Sequence, residues 1–366
     1  MSKRILFCIF AIALILLPWR FLATAFAQPK PPDQPLSGPG GKAYRHNSVS
    51  QAVYGEGASQ YWIFEPADPK PKSAPVIVFN HGWGAPSPAV YGAWIKHLVR
   101  RGNIVIYPAY QDPETWRYPP RQITPNAIQA VKDAITRLQQ GQHIRPELEK
   151  FAIVGHSAGG QITANMAALA SSVGLPVPKA VMCIQPGKSW TKLQRIAIPL
   201  EDMSTIPGSV LLLSVVGDKD EIARDLDAKN IFYGATQIPA ANKDFVIVVS
   251  DDHGQPELKA DHFAPVAPDS EFQAPQQGEK KQPGLKRRIE RPQERADEDF
   301  PDLTTQRHPV DALDFYGLWK LFDGLCDAAF DGTNRAYALG NTPQQRFMGT
   351  WSDGTPVKEL KVTDQP

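Results

Sequence analysis

The chain has 366 residues with 39 basic against 38 acidic side chains, a formal net charge of +1, so nothing in its charge marks it for nucleic acid. Hydrophobic residues make up 42%, enough in a chain of this length to bury a large core. The 35 prolines gather after the leader, around Pro119-Pro120 and in a late polar stretch, which makes them marks of linkers and turns rather than of a collagen-like repeat. No internal repeat is present.

At the amino terminus, Lys3-Arg4, the apolar run 5–17 and Ala25-Phe26-Ala27 fit a secretory signal peptide, residues 1–27, cleaved before Gln28. Arg20 is unusual in such a leader, so retention as a membrane anchor stays open beside export. Residues 28–41 read as a flexible tether, and strands are expected near 48–54 and 60–65 of a domain spanning 42–366. Val76-Ile77-Val78-Phe79-Asn80 is a short β-rich run ending in His81-Gly82-Trp83-Gly84, the form of a loop that donates backbone amides to an oxyanion.

A helix over 90–101, a strand over 104–107, a helix over 125–139 and a strand over 151–154 follow in regular alternation, which predicts an α/β fold with a mostly parallel central sheet flanked by helices. In the second helix Thr124 reads as the N-cap and Pro125 as the first helical residue. After Val154 comes Gly155-His156-Ser157-Ala158-Gly159-Gly160. Small residues two before and two after Ser157 allow a turn tight enough to strain the serine backbone and push its hydroxyl out at the strand's end, the setting of a nucleophile elbow. The helix beyond it carries an apolar stripe at Ile162, Met166 and Leu169 or Ala170. Two amides would then stabilise a tetrahedral oxyanion: that of Ala158, just after the nucleophile, and that of Trp83.

With His81-Gly82-Trp83-Gly84 and Gly155-His156-Ser157-Ala158-Gly159-Gly160 in this order, the chain resembles the α/β-hydrolases. That resemblance implies a Ser-His-Asp triad, with the acid after a later strand and the histidine after the last. The apolar run 210–216 ends in Gly217-Asp218-Lys219-Asp220. Asp220 matches the Gly-x-x-Asp spacing of the family, and Asp218 is the alternative. Residues 244–249 read as the last strand, and two histidines follow it. His262, in His262-Phe263-Ala264-Pro265, is similar to the catalytic segment of bacterial cutinases and polyester hydrolases, while His253 lies nearer the strand. The resemblance extends in motif style to chlorophyllase-like and lipase-like members.

His81 and His156 lack metal-ligand spacing and read as structural; no metal or cofactor is expected. Trp83, Tyr110, Trp116, Tyr118 and Trp190 are candidates for an aromatic substrate wall, with Trp83, Tyr110 and Trp190 foremost. Cys183 and Cys326 read as buried free thiols. Residues 267–307 turn polar and are expected to form a disordered insertion before the last helix; a basic arm touching anionic lipid or polymer is the sharper reading of its Lys286-Arg287-Arg288. Beyond Pro309, Phe315, Leu318, Trp319, Phe322, Leu325 and Cys326 mark a helix expected to pack behind the catalytic histidine, with a tail forming a small cap or an edge.

The expectation is a secreted, monomeric serine hydrolase acting on small-molecule, lipid or polymer esters, with no nucleic acid partner. Acyl transfer on the same triad, or a silent envelope binding protein of the same fold, are the alternatives.

Overall fold

Strands β3 (Ser73–Asn80) and β5 (Arg145–His156) carry apolar residues at consecutive positions, and the structure divides them between two layers. Ile77, Phe79, Ala152 and Val154 belong to one core, while Val76, Val78, Phe151 and Ile153 belong to another. Successive side chains of a strand point to opposite faces, so an unbroken apolar run needs cover on both. In the computed structural model, which describes residues 28–111, 120–187, 197–272 and 309–366, helices supply that cover. Helices α1 (Gly92–Arg100) and α5 (Trp319–Asp331) close the first core, and α2 (Pro120–Leu138) and α3 (Ala158–Val173) close the second.

The remaining strands are β1 (Ser48–Tyr54), β2 (Tyr61–Ala67), β4 (Ile104–Pro108), β6 (Ala180–Ile184), β7 (Leu211–Gly217), β8 (Lys243–Val248) and β9 (Lys361–Thr363), and helix α4 (Leu226–Gly234) comes between β7 and β8. The strands form one nine-stranded sheet in the order β1-β2-β4-β3-β5-β6-β7-β8-β9. The run from β4 to β8 is parallel, and β1, β2 and β9 are antiparallel edges. The expected last strand is therefore the last parallel one only. The tail returns to pair Val246 with Val362, which places the chain's final strand at the edge.

Helix α2 is described from Pro120, with Pro125 inside it rather than at its start. Thr124 is not its cap: it is buried, and its Oγ1 accepts a hydrogen bond from Asn165 of α3 at 3.2 Å. One lost backbone bond at Pro125 is outweighed by the apolar face Ile123, Ala127, Ile128, Val131, Ile135 and Leu138, each buried side chain of Leu or Ile size contributing about 1.5–3 kcal/mol.

Residues 28–41 depart from the expected tether. They dock on the carboxyl-terminal part of the chain: the Lys30 N–H donates to Ser352 Oγ at 2.9 Å, and the Gly40 N–H donates to Asp323 Oδ2 at 2.7 Å. The sequence hid this because its partners lie 322 and 283 positions away. Lys320, buried on α5, secures the tail by donating to the carbonyls of Gln345 and Phe347, and burial lowers its pKa to about 7. Residues 267–272, expected to begin the polar insertion, are packed instead, with Ala267 and Phe272 buried and Lys96 of α1 paired with Asp269 and Glu271. The leader 1–27 and insertion residues 273–308 lie outside the described residues, as do Trp116, Tyr118 and Trp190. Cys183 and Cys326 are buried free thiols.

Candidate active site

The parallel strands bring several loops together at their carboxyl ends, where α/β sheets bind ligands. Ser157 occupies the turn between β5 and α3 with φ +57° and ψ −121°, a conformation that costs a non-glycine residue on the order of 1–3 kcal/mol. Close packing imposes it. A Cβ on Gly155 would lie 2.3 Å from the Gly159 carbonyl oxygen, and one on Gly159 would lie 2.1 Å from the Asn80 carbonyl oxygen at the end of β3. The Ser157 N–H donates to the Ile184 carbonyl at 2.9 Å, which pins the turn to β6.

Gly159→Ala is therefore expected to force the elbow and the loop after β3 apart. Overpacking of this kind costs about 1–3 kcal/mol, and because the clash is with backbone it should also lower any turnover at Ser157 at least about tenfold. A thermal melt and a turnover assay that both matched wild type would contradict this account of the elbow.

His262 stands beside the serine, its Nε2 at 3.0 Å from Ser157 Oγ and its Nδ1 at 2.9 Å from Asp220 Oδ2. The other carboxylate oxygen of Asp220 accepts the backbone N–H groups of Ile222 and Ala223, each at 2.9 Å, so a tight turn after β7 aims Oδ2 at the imidazole. A carboxylate only accepts, hence Nδ1 carries the proton and Nε2 is left to accept from the serine hydroxyl. All three side chains are buried.

The alternatives fall elsewhere. Asp218 is exposed and accepts from the Ser250 N–H at 3.0 Å, and His253 pairs through Nε2 with Asp353 at 2.7 Å while packing on Trp351.

A model of a family described as alpha/beta hydrolase fold matches residues 77–212, from β3 through the elbow into β7. That match and the mostly parallel sheet give this chain the α/β-hydrolase fold. Among curated proteins, none matches it. The family is one of hydrolases of the esterase and lipase kind. The matched stretch includes both glycine-rich loops of this hydrolase and stops short of Asp220 and His262.

The hydrolase builds its β3 loop on His81. Its Nδ1 and Nε2 face the carbonyls of Gly82 and Ala109 at 2.6 and 2.8 Å, and burial, opposed by these two carbonyls, lowers its pKa to about 4 and keeps the ring neutral. Tyr110 stacks on it, ring centroids 4.0 Å apart, and its hydroxyl donates to the His81 carbonyl. Tyr110 is wholly buried, so it braces this loop from within and does not present a wall to substrate, correcting its expected place. The Gly84 N–H donates to Gln111 Oε1 at 3.1 Å, and the Gly82 N–H to the Tyr91 hydroxyl at 3.0 Å. Trp83, between these two tethered glycines, is half-buried against the second core. Ala158 is the first residue of α3, where a backbone N–H has no acceptor within its own helix.

Reading the sequence missed Gln185 and Tyr91. Of the two only Gln185 left a signal, a polar residue following the apolar strand Ala180–Ile184 just before Pro186-Gly187.

Proposed function

We propose that this hydrolase is an exported serine carboxylesterase whose nucleophile is Ser157, general base His262 and acid Asp220. The observation that carries the reading is the hydrogen-bonded series from Ser157 Oγ through both nitrogens of His262 to Asp220, starting at a serine held with positive φ. As His262 Nε2 takes the hydroxyl proton, Ser157 Oγ bonds to the ester carbonyl carbon and the carbonyl oxygen becomes an oxyanion. The amides of Trp83 and Ala158 are the donors assigned to that oxygen, and one such donor supports a transition state by about 3 kcal/mol. Collapse breaks the bond to the alcohol, which leaves with the proton from His262. Water then enters, gives its proton to His262 and attacks the acyl-enzyme, releasing the acid and restoring the serine. Asp220 holds the tautomer and stabilises the imidazolium at each stage.

Export is supported by the leader sequence, with its basic start, apolar run and Ala25-Phe26-Ala27. One experiment addresses both parts: expression of the full chain, treatment with a fluorophosphonate and mass spectrometry of the product. The expected result is a single adduct on Ser157 in a protein that starts at Gln28 and lies outside the cytoplasm. Failure of a folded protein to react would favour a binding role for the fold, and an uncleaved leader would make the protein anchored rather than exported.

A further inference from the structure

Gln185 follows β6 directly, with φ +44°, a strained conformation for a non-glycine residue that invites a functional explanation. It is 2% exposed. Its backbone N–H donates to the Val215 carbonyl of β7 at 2.7 Å, and its Nε2 donates to the carbonyl of Asp261 at 2.7 Å, one residue before His262. Room for that side chain is made by Gly217 at the end of β7. A Cβ there would sit 2.7 Å from Gln185 Nε2 and 2.1 Å from the Ala260 carbonyl oxygen. The amide is thus fitted between two strands and the loop that carries the base.

Since the Asp261 carbonyl requires the NH₂ end of the amide, Oε1 must face the other way. It is buried without a hydrogen-bond partner, and so is His156 Nε2. The two orphans are neighbours: the Gln185 side chain and the His262 backbone both act on the charge of His156, whose ring centroid is 4.8 Å from that of His262. Tyr91 favours one tautomer of His156. Its hydroxyl oxygen accepts from the Gly82 N–H, and among the described hydrogen bonds His156 Nδ1, at 2.9 Å, is the one acceptor for its own proton, so we assign Nδ1 as the acceptor. Deep burial, the largest influence, holds the His156 pKa well below the ordinary range, so the ring is neutral and its single proton sits on Nε2, on the side of Gln185 Oε1. A donor without an acceptor thus stands next to an acceptor without a donor, and a small closing movement joins them.

We propose that His156 and Gln185 are positioning residues, forming with Tyr91 a strut of hydrogen bonds that runs beneath the nucleophile and fixes the His262 loop relative to the oxyanion loop. Every link has the same sense: Gly82 N–H to Tyr91, Tyr91 O–H to His156 Nδ1, Gln185 Nε2–H to the Asp261 carbonyl and, once the two orphans close on each other, His156 Nε2–H to Gln185 Oε1. The strut rests on the triad reading above, because its function is to hold His262 Nε2 within reach of Ser157. Its effect falls on the chemical step, where a misplacement of about 1 Å costs about 10²-fold.

The test compares Gln185→Leu, His156→Leu, the double variant and Tyr91→Phe with wild type and Ser157→Ala on a short-chain aryl ester. Each single strut variant is expected to lower kcat by about 10- to 100-fold with KM within about twofold, and the double variant to lose no more than the worse single one. Tyr91→Phe removes one hydroxyl from a ring that stays packed, so it decides the matter if a leucine variant does not fold. Wild-type kcat in folded Tyr91→Phe or Gln185→Leu, or losses that multiply in the double variant, would overturn the strut while leaving the triad intact. Turnover retained in Ser157→Ala would instead overturn the triad reading itself.

Discussion

Ser157→Ala and His262→Ala are each expected to lower kcat/KM for short p-nitrophenyl esters by about 10⁴- to 10⁶-fold, with the double variant hardly worse than either. The magnitude follows from cooperation: without the base the hydroxyl is a poor nucleophile, and without the hydroxyl the base has nothing to activate. Asp220→Ala is expected to lose about 10⁴-fold, because the imidazole then lacks the acceptor that keeps its proton on Nδ1. His253→Ala and Asp218→Ala serve as controls and should remain within about twofold of wild type, as these side chains are engaged with Asp353 and Ser250 instead. Steady-state kinetics on proteins with matched melting curves would check the whole series. A His253→Ala loss as large as that of His262→Ala would overturn the assignment of the base.

The second large effect is on stability. Asp323, buried on α5, accepts from His97 Nε2 at 2.9 Å and from the Gly40 N–H at 2.7 Å, and forms an ion pair with Arg101, Nε at 3.2 Å. His97 in turn meets the Tyr44 hydroxyl through Nδ1 at 3.1 Å, so one carboxylate joins α1, α5 and the amino-terminal segment. Asp323→Ala strands the cation and the donors, and breaking a buried pair in this way costs about 3–5 kcal/mol. The melting temperature should fall on the order of 10 °C, and protease should then cut within residues 28–47. Burial opposes ionisation of Asp323, but Arg101, His97 and the Gly40 amide outweigh it and hold the carboxyl below its ordinary value. A folded-state pKa lowered in this way stabilises above the unfolded value of about 3.9 and ceases to do so as pH falls through the lower folded value. Wild type should therefore lose stability more steeply than Asp323→Ala below about pH 4, as melts across that range would show. Parallel acid profiles would contradict the assignment.

What the sequence made legible was local. The strand run Val76-Ile77-Val78-Phe79-Asn80 and the turn at Ser157 could be read because continuous apolar runs and flanking small residues each dictate a backbone conformation without reference to distant partners. The helix over 125–139 was misjudged at its start, since Pro125 and Thr124 imitate a helix beginning and only the contact with Asn165 shows that they lie inside one. Tyr110 looked like a wall for substrate because an aromatic after a strand reads the same whether it faces a cleft or, as here, stacks on His81. Gln185 carried its role in a strained φ and in a bond to Asp261 from 76 positions away, neither of which any spacing reports.

The docking of residues 28–41 bears on when this protein can fold. Their anchors, Asp323 and Ser352, leave the ribosome last, so the earliest-made part of the domain waits for the latest before it can settle. Native pairings of such long separation form slowly. Residues 28–41 accordingly stay unseated through most of synthesis, and shortening the chain before Ser352 would leave them with only the Asp323 end of their seat.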